Sequence, residues 1–213
     1  MSLSHRDYQP FHLGNRFSIL PSSESPCDKG RIPLIMVRGA FGSGEHETTA
    51  SCLEILEALP EILGADVLDF GSGTGILALA ALKLGARHAH CIDIVPEAVA
   101  TAKANAHAND LADLTTHSCG STEELDTSTY SLVLANIYGD LLLKFASTLV
   151  AQCRPGGLIL LSGILWEYNF DVRQCYGQLG CTVVKNRLLD EFSTVLLRKE
   201  EPEGEGREDV AGY

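Results

Sequence analysis

Basic side chains are scarce in this sequence of 213 residues. Lys and Arg together number 16 against 28 Asp and Glu, so the formal net charge is −12 and the pI is about 4.9. Because proteins bind nucleic-acid phosphates mainly through Lys and Arg, this balance argues against direct nucleic-acid binding and is compatible with a basic protein partner. Residues 200–213 carry six acidic side chains and one Arg, a composition that predicts a disordered acidic tail.

The sequence also lacks the patterns of a disulfide framework, a zinc site or a membrane span. Its seven cysteines are odd in number and never spaced C-x-x-C, which predicts small buried thiols in a reducing compartment. No apolar run reaches the roughly 18 residues that cross a bilayer, and the first residues show no apolar signal segment. We therefore expect a cytoplasmic protein without membrane contact or bound metal, although His88 and His90 alternate along a strand and leave a metal pair as a minor alternative.

The most informative segment is the run from Val67 to Leu77. It reads as a buried strand, a glycine-rich turn and the start of a helix, and a second strand follows that ends at Asp93, 22 residues after Gly71. Strand, glycine turn, helix and a strand ending in a carboxylate together form a βαβ nucleotide-binding unit. Gly71, Gly73 and Gly75 lack β-carbons that would keep a ligand from the backbone, and Asp93 is placed to accept hydrogen bonds from both hydroxyls of a ribose.

The spacing of the glycines separates two classes of cofactor. Dinucleotide sites use G-x-G-x-x-G and place a pyrophosphate at the helix N-terminus, whereas here Ile76 occupies the place of the third dinucleotide glycine. Asp69, two residues before Gly71, would repel a pyrophosphate but suits a cationic amino-acid tail. S-adenosylmethionine is therefore the predicted cofactor, and a nicotinamide oxidoreductase or a turn that binds nothing are the alternatives.

Strand and helix patterns alternate along most of the chain, which predicts a doubly wound parallel sheet. A closing hairpin without an intervening helix predicts an antiparallel strand near one edge, so the expected fold is α/β and Rossmann-like, the seven-stranded class I methyltransferase sheet with helices on both faces. The first 30 residues are expected to be irregular except for a strand over 16–20. The patterns predict further strands over 32–37, 66–70, 88–93, 114–117, 130–135, 158–162, 181–187 and 193–198, and helices over 47–59, 76–84, 96–108, 141–152 and 167–178.

Several segments resemble one family, the ribosomal protein L11 methyltransferases of the PrmA type. The matching runs are 40–49, 69–78, 81–86, 92–98, 135–137, 156–158 and 161–165, and the resemblance covers roughly residues 8–199. The glycine turn alone is generic. The loop Phe41-Gly42-x-Gly44-x-His46-x-Thr48-Thr49 and the run Ser162-Gly163-Ile164-Leu165 are much more specific.

The resemblance implies transfer of methyl groups from S-adenosylmethionine to lysine side chains and an N-terminal amine of a ribosomal protein. It carries cofactor contacts onto Thr49, Gly71, Asp93 and Asn136. We add Phe41, Asp69, Gly73, Gly75 and Ile94 as cofactor-binding candidates on the same elements. Phe41 either stacks over the site or packs internally.

Two residues are predicted to act on the substrate. Asn136 is expected to accept a hydrogen bond from the target amine, through its side chain or its backbone carbonyl. Asp140 is either a proton acceptor or a carboxylate favoured by the dipole at a helix N-terminus. Tyr138 and Trp166 either wall the substrate pocket or pack in the core.

We divide the chain into an N-terminal arm with a cofactor-covering loop (1–46), a methyltransferase domain (47–199) and the acidic tail (200–213). Proteins of this type usually carry an additional N-terminal docking domain, and the matching segments begin near the start of this chain. The sequence is therefore expected to be a catalytic domain without that domain, either as a shortened relative or as a sequence cut at the domain border. A methyltransferase for a small metabolite or RNA, and a non-catalytic cofactor-binding module, are the remaining alternatives.

Overall fold

The computed structural model describes residues 8–37 and 46–201, which form two sheets and the helices that cover them. The strands are β1 (Phe11–Leu13), β2 (Phe17–Leu20), β3 (Ile32–Ile35), β4 (Asp66–Phe70), β5 (His88–Asp93), β6 (Thr115–Cys119), β7 (Tyr130–Asn136), β8 (Cys153–Leu165), β9 (Cys181–Leu188) and β10 (Phe192–Lys199). The helices are α1 (Glu47–Leu56), α2 (Ile76–Lys83), α3 (Pro96–Ala108), α4 (Gly139–Lys144), α5 (Ala146–Gln152) and α6 (Trp166–Gln178).

The larger sheet has seven strands in the order β6-β5-β4-β7-β8-β10-β9. β10 runs antiparallel to both of its neighbours, β8 and β9, and the other strand pairs are parallel, so the predicted sheet with its antiparallel strand near one edge is confirmed. Strand order reverses between β4 and β7. In open α/β sheets this reversal opens a crevice at the carboxyl ends of the strands, where ligands bind.

Apolar side chains alternate along the central strands and build one core on each face of this sheet. Val67, Leu132 and Leu158 pack with α1, α2 and the smaller sheet, whereas their neighbours Leu68, Val133 and Ile159 pack with α4, α5 and α6. Helices therefore cover both faces, as predicted. α2 is buried from Ile76 to Leu82, as expected for a helix that is apolar on every side.

The N-terminal segment is more regular than its sequence suggests. The strand expected over 16–20 is present as β2, but β1 pairs with it antiparallel and β3 pairs with it parallel to form a three-stranded sheet. Glu57, directly after α1, accepts backbone hydrogen bonds from Asn15 (2.9 Å) and Arg16 (2.8 Å) and so holds the turn between β1 and β2. A strand of three residues is too short to show a period of two, so only tertiary contacts reveal it.

Two boundary predictions are wrong for physical reasons. The single helix expected over 141–152 is two helices that meet at Phe145, whose ψ of 7° ends the first one. The strand expected over 158–162 begins earlier, at Cys153, so the run Pro155-Gly156-Gly157 lies inside β8, where the pairing register with β7 shifts between Tyr130 and Leu132. Proline and glycine are tolerated in a strand at such an irregularity.

The remaining sequence expectations concern cysteines and membrane contact. All seven cysteines lie within the described residues and are free; four are buried, but Cys27 and Cys119 are exposed, so not all are core residues. None of the helices in residues 8–37 and 46–201 has both the length and the apolar character needed to cross a membrane.

Candidate cofactor and active site

The glycine turn between β4 and α2 lies at the switch point of the sheet. Gly71, Gly73 and Gly75 have φ angles of +75°, +54° and +80°, a left-handed conformation that other residues rarely adopt. A β-carbon on Gly71 would overlap the Ile137 side chain, whereas nothing lies within 4 Å of the β-carbon position of Gly73. Gly71 is therefore required by packing within the chain, and Gly73 is the glycine that faces open space.

Asp93, at the end of β5, fastens this turn to the neighbouring strand. Its Oδ2 accepts a hydrogen bond from the backbone N–H of Gly73 (2.8 Å), and its Oδ1 accepts one from the N–H of Val95 (2.9 Å). Each carboxylate oxygen has a second lone pair, so Asp93 retains acceptor capacity for a ligand. Ile94, the next residue, is exposed beside it.

Asp69 lies beneath the turn rather than on its surface. Its side chain is only 2% exposed, and its Oδ2 accepts the backbone N–H of Ala78 in the first turn of α2 (3.1 Å). Burial raises the pKa of this carboxyl to about 7, against the opposing effect of the Ala78 hydrogen bond; the nearby Asp93 raises it further. This geometry favours a positioning role for Asp69, and direct contact with a cofactor remains a prediction.

Two buried asparagines that sequence reasoning missed hold β3 and the residues after it, and the first of them also bonds the glycine turn. Asn105, fully buried on α3, donates to the Thr74 carbonyl (2.9 Å) and accepts the backbone N–H of Val37 (2.7 Å). Asn109, one helical turn later, bonds β3 alone: it accepts the backbone N–H of Ile35 (3.0 Å) and donates to the Ile35 carbonyl (2.7 Å). Their spacing places both on the buried stripe that includes Ala102, and an amide on an apolar stripe is the signal that identifies them.

Asn136 ends β7 directly beside the glycine turn. Within the described part of the chain, its side-chain amide has no hydrogen-bond partner. β8 approaches it closely because residue 163 is glycine: a β-carbon there would lie 2.6 Å from the Ile137 carbonyl oxygen and 3.3 Å from Asn136 Oδ1. Gly163 thus belongs to the site, and the specific run 162–165 noted in the sequence was its signal.

The start of α1 forms the wall on the β10 side. Thr49 is buried in its first turn, and His46 precedes it, with its ring 5.0 Å from the ring of Phe192 and nearly perpendicular to it. Glu47 accepts backbone hydrogen bonds from Asp190 (3.2 Å) and Glu191 (3.4 Å) in the turn between β9 and β10. Phe41 and the rest of the predicted covering loop before His46 lie outside the described residues.

The carboxyl ends of β7 and β8 carry exposed side chains. Asp140 is exposed in the first turn of α4, so the structure brings it to the same edge as Asn136 but not to a shielded position. Tyr138 and Trp166 are also exposed, which rules out the core packing that their sequence context left open.

The histidine pair on β5 has protein partners. Both ring nitrogens of His90 lie within hydrogen-bond distance of hydroxyls, Nδ1 at 2.9 Å from Tyr130 and Nε2 at 3.0 Å from Ser118. Burial lowers the pKa of His90, and the neighbouring His88 lowers it further. Within residues 8–37 and 46–201, no cluster of His, Cys, Asp and Glu is arranged to hold a metal ion.

Comparison with known proteins identifies the family to which these elements belong. The profile of the family described as "Ribosomal protein L11 methyltransferase (PrmA)" matches residues 2–200. This chain belongs to that family. The L11 methyltransferase of Chromohalobacter salexigens is 42% identical over 175 residues, which are 82% of this chain and 58% of that protein. The chain therefore spans less than two thirds of the length of this relative.

Solved structures show the same fold. The crystal structure described as ribosomal protein L11 methylase from Lactobacillus delbrueckii subsp. bulgaricus superposes with a TM-score of 0.80 at 22% identity, covering 92% of this chain and all of that one. An RNA methyltransferase from Salinibacter ruber in complex with S-adenosyl-L-homocysteine gives 0.58 at 20% identity, over 73% of this chain and 95% of that one. The fold of this L11 methyltransferase family member is thus that of class I methyltransferases.

Proposed function

We propose that this chain transfers methyl groups from S-adenosylmethionine to amino groups of a protein, with ribosomal protein L11 as the expected substrate. The observation that carries the proposal is the meeting of the glycine turn, Asp93 and Asn136 at one edge of the sheet, at its switch point. Family membership supports it, because the relatives are named for this activity. The similarly folded Salinibacter protein holds the demethylated form of this cofactor.

The residues present fit this cofactor. The space beyond Gly73 admits a ligand to the turn, and the free lone pairs of Asp93 suit the two hydroxyls of a ribose. Ile94 offers an exposed apolar side chain beside them. When bound, S-adenosylmethionine supplies an activated methyl group on a sulfonium centre. Gly71, Gly75 and Asp69 shape the turn from below, and Thr49 is proposed to contact the cofactor from the α1 side.

Asn136 is proposed to hold the target amine. Its unpartnered amide oxygen can accept a hydrogen bond from an N–H, which orients the nitrogen lone pair away from Asn136. Orientation of two reactants at about 3–3.5 Å can remove roughly 7–11 kcal/mol of barrier, so a residue that fixes the amine has a large effect. A lysine must also lose a proton, which costs about 4.6 kcal/mol at pH 7 from a reference pKa of about 10.4.

Asp140 remains the proposed proton acceptor, four residues along the chain from Asn136. Its exposure means that water can serve the same purpose, so its contribution is expected to be small. Phe41 remains a proposed cover of the cofactor. A cytoplasmic location, the absence of direct nucleic-acid binding and the absence of membrane contact belong to the same proposal.

Incubation with methyl-labelled S-adenosylmethionine tests the proposal. Purified ribosomal protein L11 and an unfractionated cell extract are offered separately, and the parent protein is compared with Asn136→Ala and Asp140→Asn. We expect label on L11, a loss of roughly 100-fold in turnover for Asn136→Ala that exceeds its loss of cofactor affinity, and a change of about twofold or less for Asp140→Asn.

Asn15→Ala is the matched control, because Asn15 is exposed in the turn between β1 and β2 and its side chain has no partner in the described chain. Label on an RNA or a small molecule of the extract, with none on protein, would replace the proposed substrate class. Tight cofactor binding without label on any acceptor would contradict catalysis.

A further inference from the structure

The turn between β9 and β10 is hydrogen-bonded on two sides, to α1 and to α6. The backbone N–H groups of Asp190 and Glu191 donate to the two carboxylate oxygens of Glu47, at 3.2 and 3.4 Å. On the other side, Trp166 donates its backbone N–H to the Glu191 carbonyl (3.2 Å) and its indole N–H to the Phe192 carbonyl (3.0 Å). The turn therefore joins the first residue of α1 to the first residue of α6.

Contacts other than those with α1 also hold this turn in place. The backbone N–H of Leu189 donates to the Phe192 carbonyl (2.8 Å), which closes the hairpin. The next residue, Ser193, is fully buried; its hydroxyl donates to the Ile164 carbonyl (3.1 Å) and accepts a hydrogen bond from the Asn169 amide (2.8 Å). The sheet and α6 thus fix the turn independently of α1, and the start of α1 is attached to it.

The middle of α1 is fixed at a different place, on β8. Cys52 is buried and its thiol is hydrogen-bonded to the Ser162 hydroxyl, which lies 2.8 Å from the hydroxyl of Thr194 on β10. Ser162 pairs with Asn136 across β8 and β7. Thr49 precedes Cys52 by three residues and therefore shares its face of the helix. Thr49 is thus directed toward the sheet near the edge at which Asn136 lies.

The first turn of α1 connects Glu47 directly to Thr49. His46 precedes both residues: its Nδ1 accepts the backbone N–H of Thr48 (3.3 Å), and its carbonyl accepts the backbone N–H of Thr49 (3.0 Å). The His46 ring also contacts the ring of Phe192 at the start of β10. Because these bonds link consecutive residues, a shift of Glu47 away from the β9–β10 turn would displace Thr49 as well.

We propose that Glu47 is a positioning residue, which holds the first turn of α1 against the β9–β10 turn and thereby keeps the Thr49 hydroxyl in place for the cofactor. This inference rests on the proposed function and adds to it a residue that acts on the cofactor through another residue. The apparent affinity of a site falls with the fraction of molecules in which the site is correctly formed. Loss of the Glu47 contacts should therefore weaken cofactor binding more than it slows the chemical step.

Calorimetric titration with S-adenosylmethionine measures this effect on the parent, Glu47→Ala and Glu47→Gln. We expect Glu47→Ala to weaken binding about fivefold and to raise the KM for the cofactor equally, with kcat changed by less than about twofold. Glu47→Gln keeps one oxygen that can accept a backbone N–H, so we expect it to restore most of the affinity. A loss as large for Glu47→Gln as for Glu47→Ala would overturn the proposal.

Glu97→Ala is the matched control, because Glu97 is an exposed carboxylate in the first turn of α3 whose side chain has no partner in the described residues. It separates the bonds of Glu47 from the general effect of a negative charge at a helix N-terminus. We expect Glu97→Ala to leave cofactor affinity unchanged. Equal weakening by Glu47→Ala and Glu97→Ala would contradict the positioning role.

A double-mutant cycle tests whether Glu47 acts through Thr49. Thr49→Val removes the hydroxyl, and in that background Glu47→Ala should weaken cofactor binding by less than about twofold further. The same fivefold loss in both backgrounds would show that Glu47 acts by another route and would overturn the proposal.

Amide hydrogen exchange of the segment 189–192 reports on the contact itself without cofactor. We expect faster exchange in Glu47→Ala and no change in Glu97→Ala, because only the first substitution removes the acceptor of Asp190 and Glu191. A parent that binds and uses S-adenosylmethionine, with an affinity that Glu47→Ala leaves unchanged, would overturn the positioning role alone. A parent that does not bind S-adenosylmethionine would contradict the proposed function, and the positioning role would fall with it.

Discussion

On the β4 and β5 side of the site, the polar side chains already have backbone partners, whereas at the end of β7 the Asn136 amide has none within the described chain. Asp93, Asp69 and Asn105 each accept backbone hydrogen bonds and tie the glycine turn to its neighbours. Asn136 has an unpartnered amide in the described chain, and Trp166 and Phe170 face water. The polar groups of the first side are held in position before a ligand binds. The groups of the second side are free to contact a bound molecule.

The largest expected effect on this comparison comes from Gly71→Ala. The substitution combines a left-handed φ with an overlap of the new β-carbon and Ile137, so we expect a loss of roughly 3–5 kcal/mol in the free energy of unfolding and no cofactor binding. Chemical denaturation and cofactor titration measure the two losses. Gly177→Ala is the control, since Gly177 is helical and has nothing within 4 Å of its β-carbon position. Equal stability and equal cofactor binding of Gly71→Ala and Gly177→Ala would contradict the view that the β4 and β5 side is held in a fixed conformation.

Asn105→Ala tests whether the buried hydrogen bonds matter to the turn. It leaves the Thr74 carbonyl and the Val37 N–H without this partner, and we expect a loss of roughly 2–3 kcal/mol in stability together with weaker cofactor binding. Thermal and chemical unfolding with and without cofactor provide the measurement. Lys103→Ala, exposed on the same helix, should leave both properties unchanged. An unaffected cofactor affinity for Asn105→Ala would confine its role to stability.

The buried carboxyl of Asp69 is expected to make the stability of the protein depend on pH. Burial raises its pKa from an ordinary value near 3.8 to about 7, so the folded protein binds the proton more tightly than the unfolded chain. This contribution to stability is full below about pH 4, is lost as the pH rises to about 7, and stays constant above that.

Asp69→Asn should therefore be more stable than the parent at pH 8, by up to about 4 kcal/mol, and equal to it near pH 4. Unfolding curves across this range measure the difference, and Asp113→Asn, exposed before β6, should show none. A difference that does not change with pH would contradict the assignment.

The sequence predicted the β4 and β5 side of the site well, because the signals for this side are local. The strand before Gly71, the left-handed turn and the carboxylate at Asp93 lie within one βαβ unit, and Pro96 marks the start of α3 as the first helical residue. The hairpin of β9 and β10 was equally visible, because two strand patterns follow each other there without an intervening helix.

The features that sequence reasoning missed depend on contacts between distant segments. Asn105 reads as an ordinary polar helical residue until Val37, 68 positions earlier, is placed against it. Neither the sequence of α4 nor that of α6 alone shows that Tyr138 and Trp166 stay exposed. The turn between β1 and β2 of the small sheet is likewise held by Glu57, far along the chain.

Equilibrium binding of S-adenosylmethionine, measured by calorimetry on the parent, Asp93→Asn and Asp113→Asn, tests the central claim most directly. Asp93 also fastens Gly73 and Val95, so thermal unfolding is recorded alongside to confirm that each variant is folded. We predict binding to the parent and to Asp113→Asn, and affinity reduced by at least about tenfold in folded Asp93→Asn. Undiminished binding to Asp93→Asn, or binding of NAD but not of S-adenosylmethionine to the parent, would contradict the account.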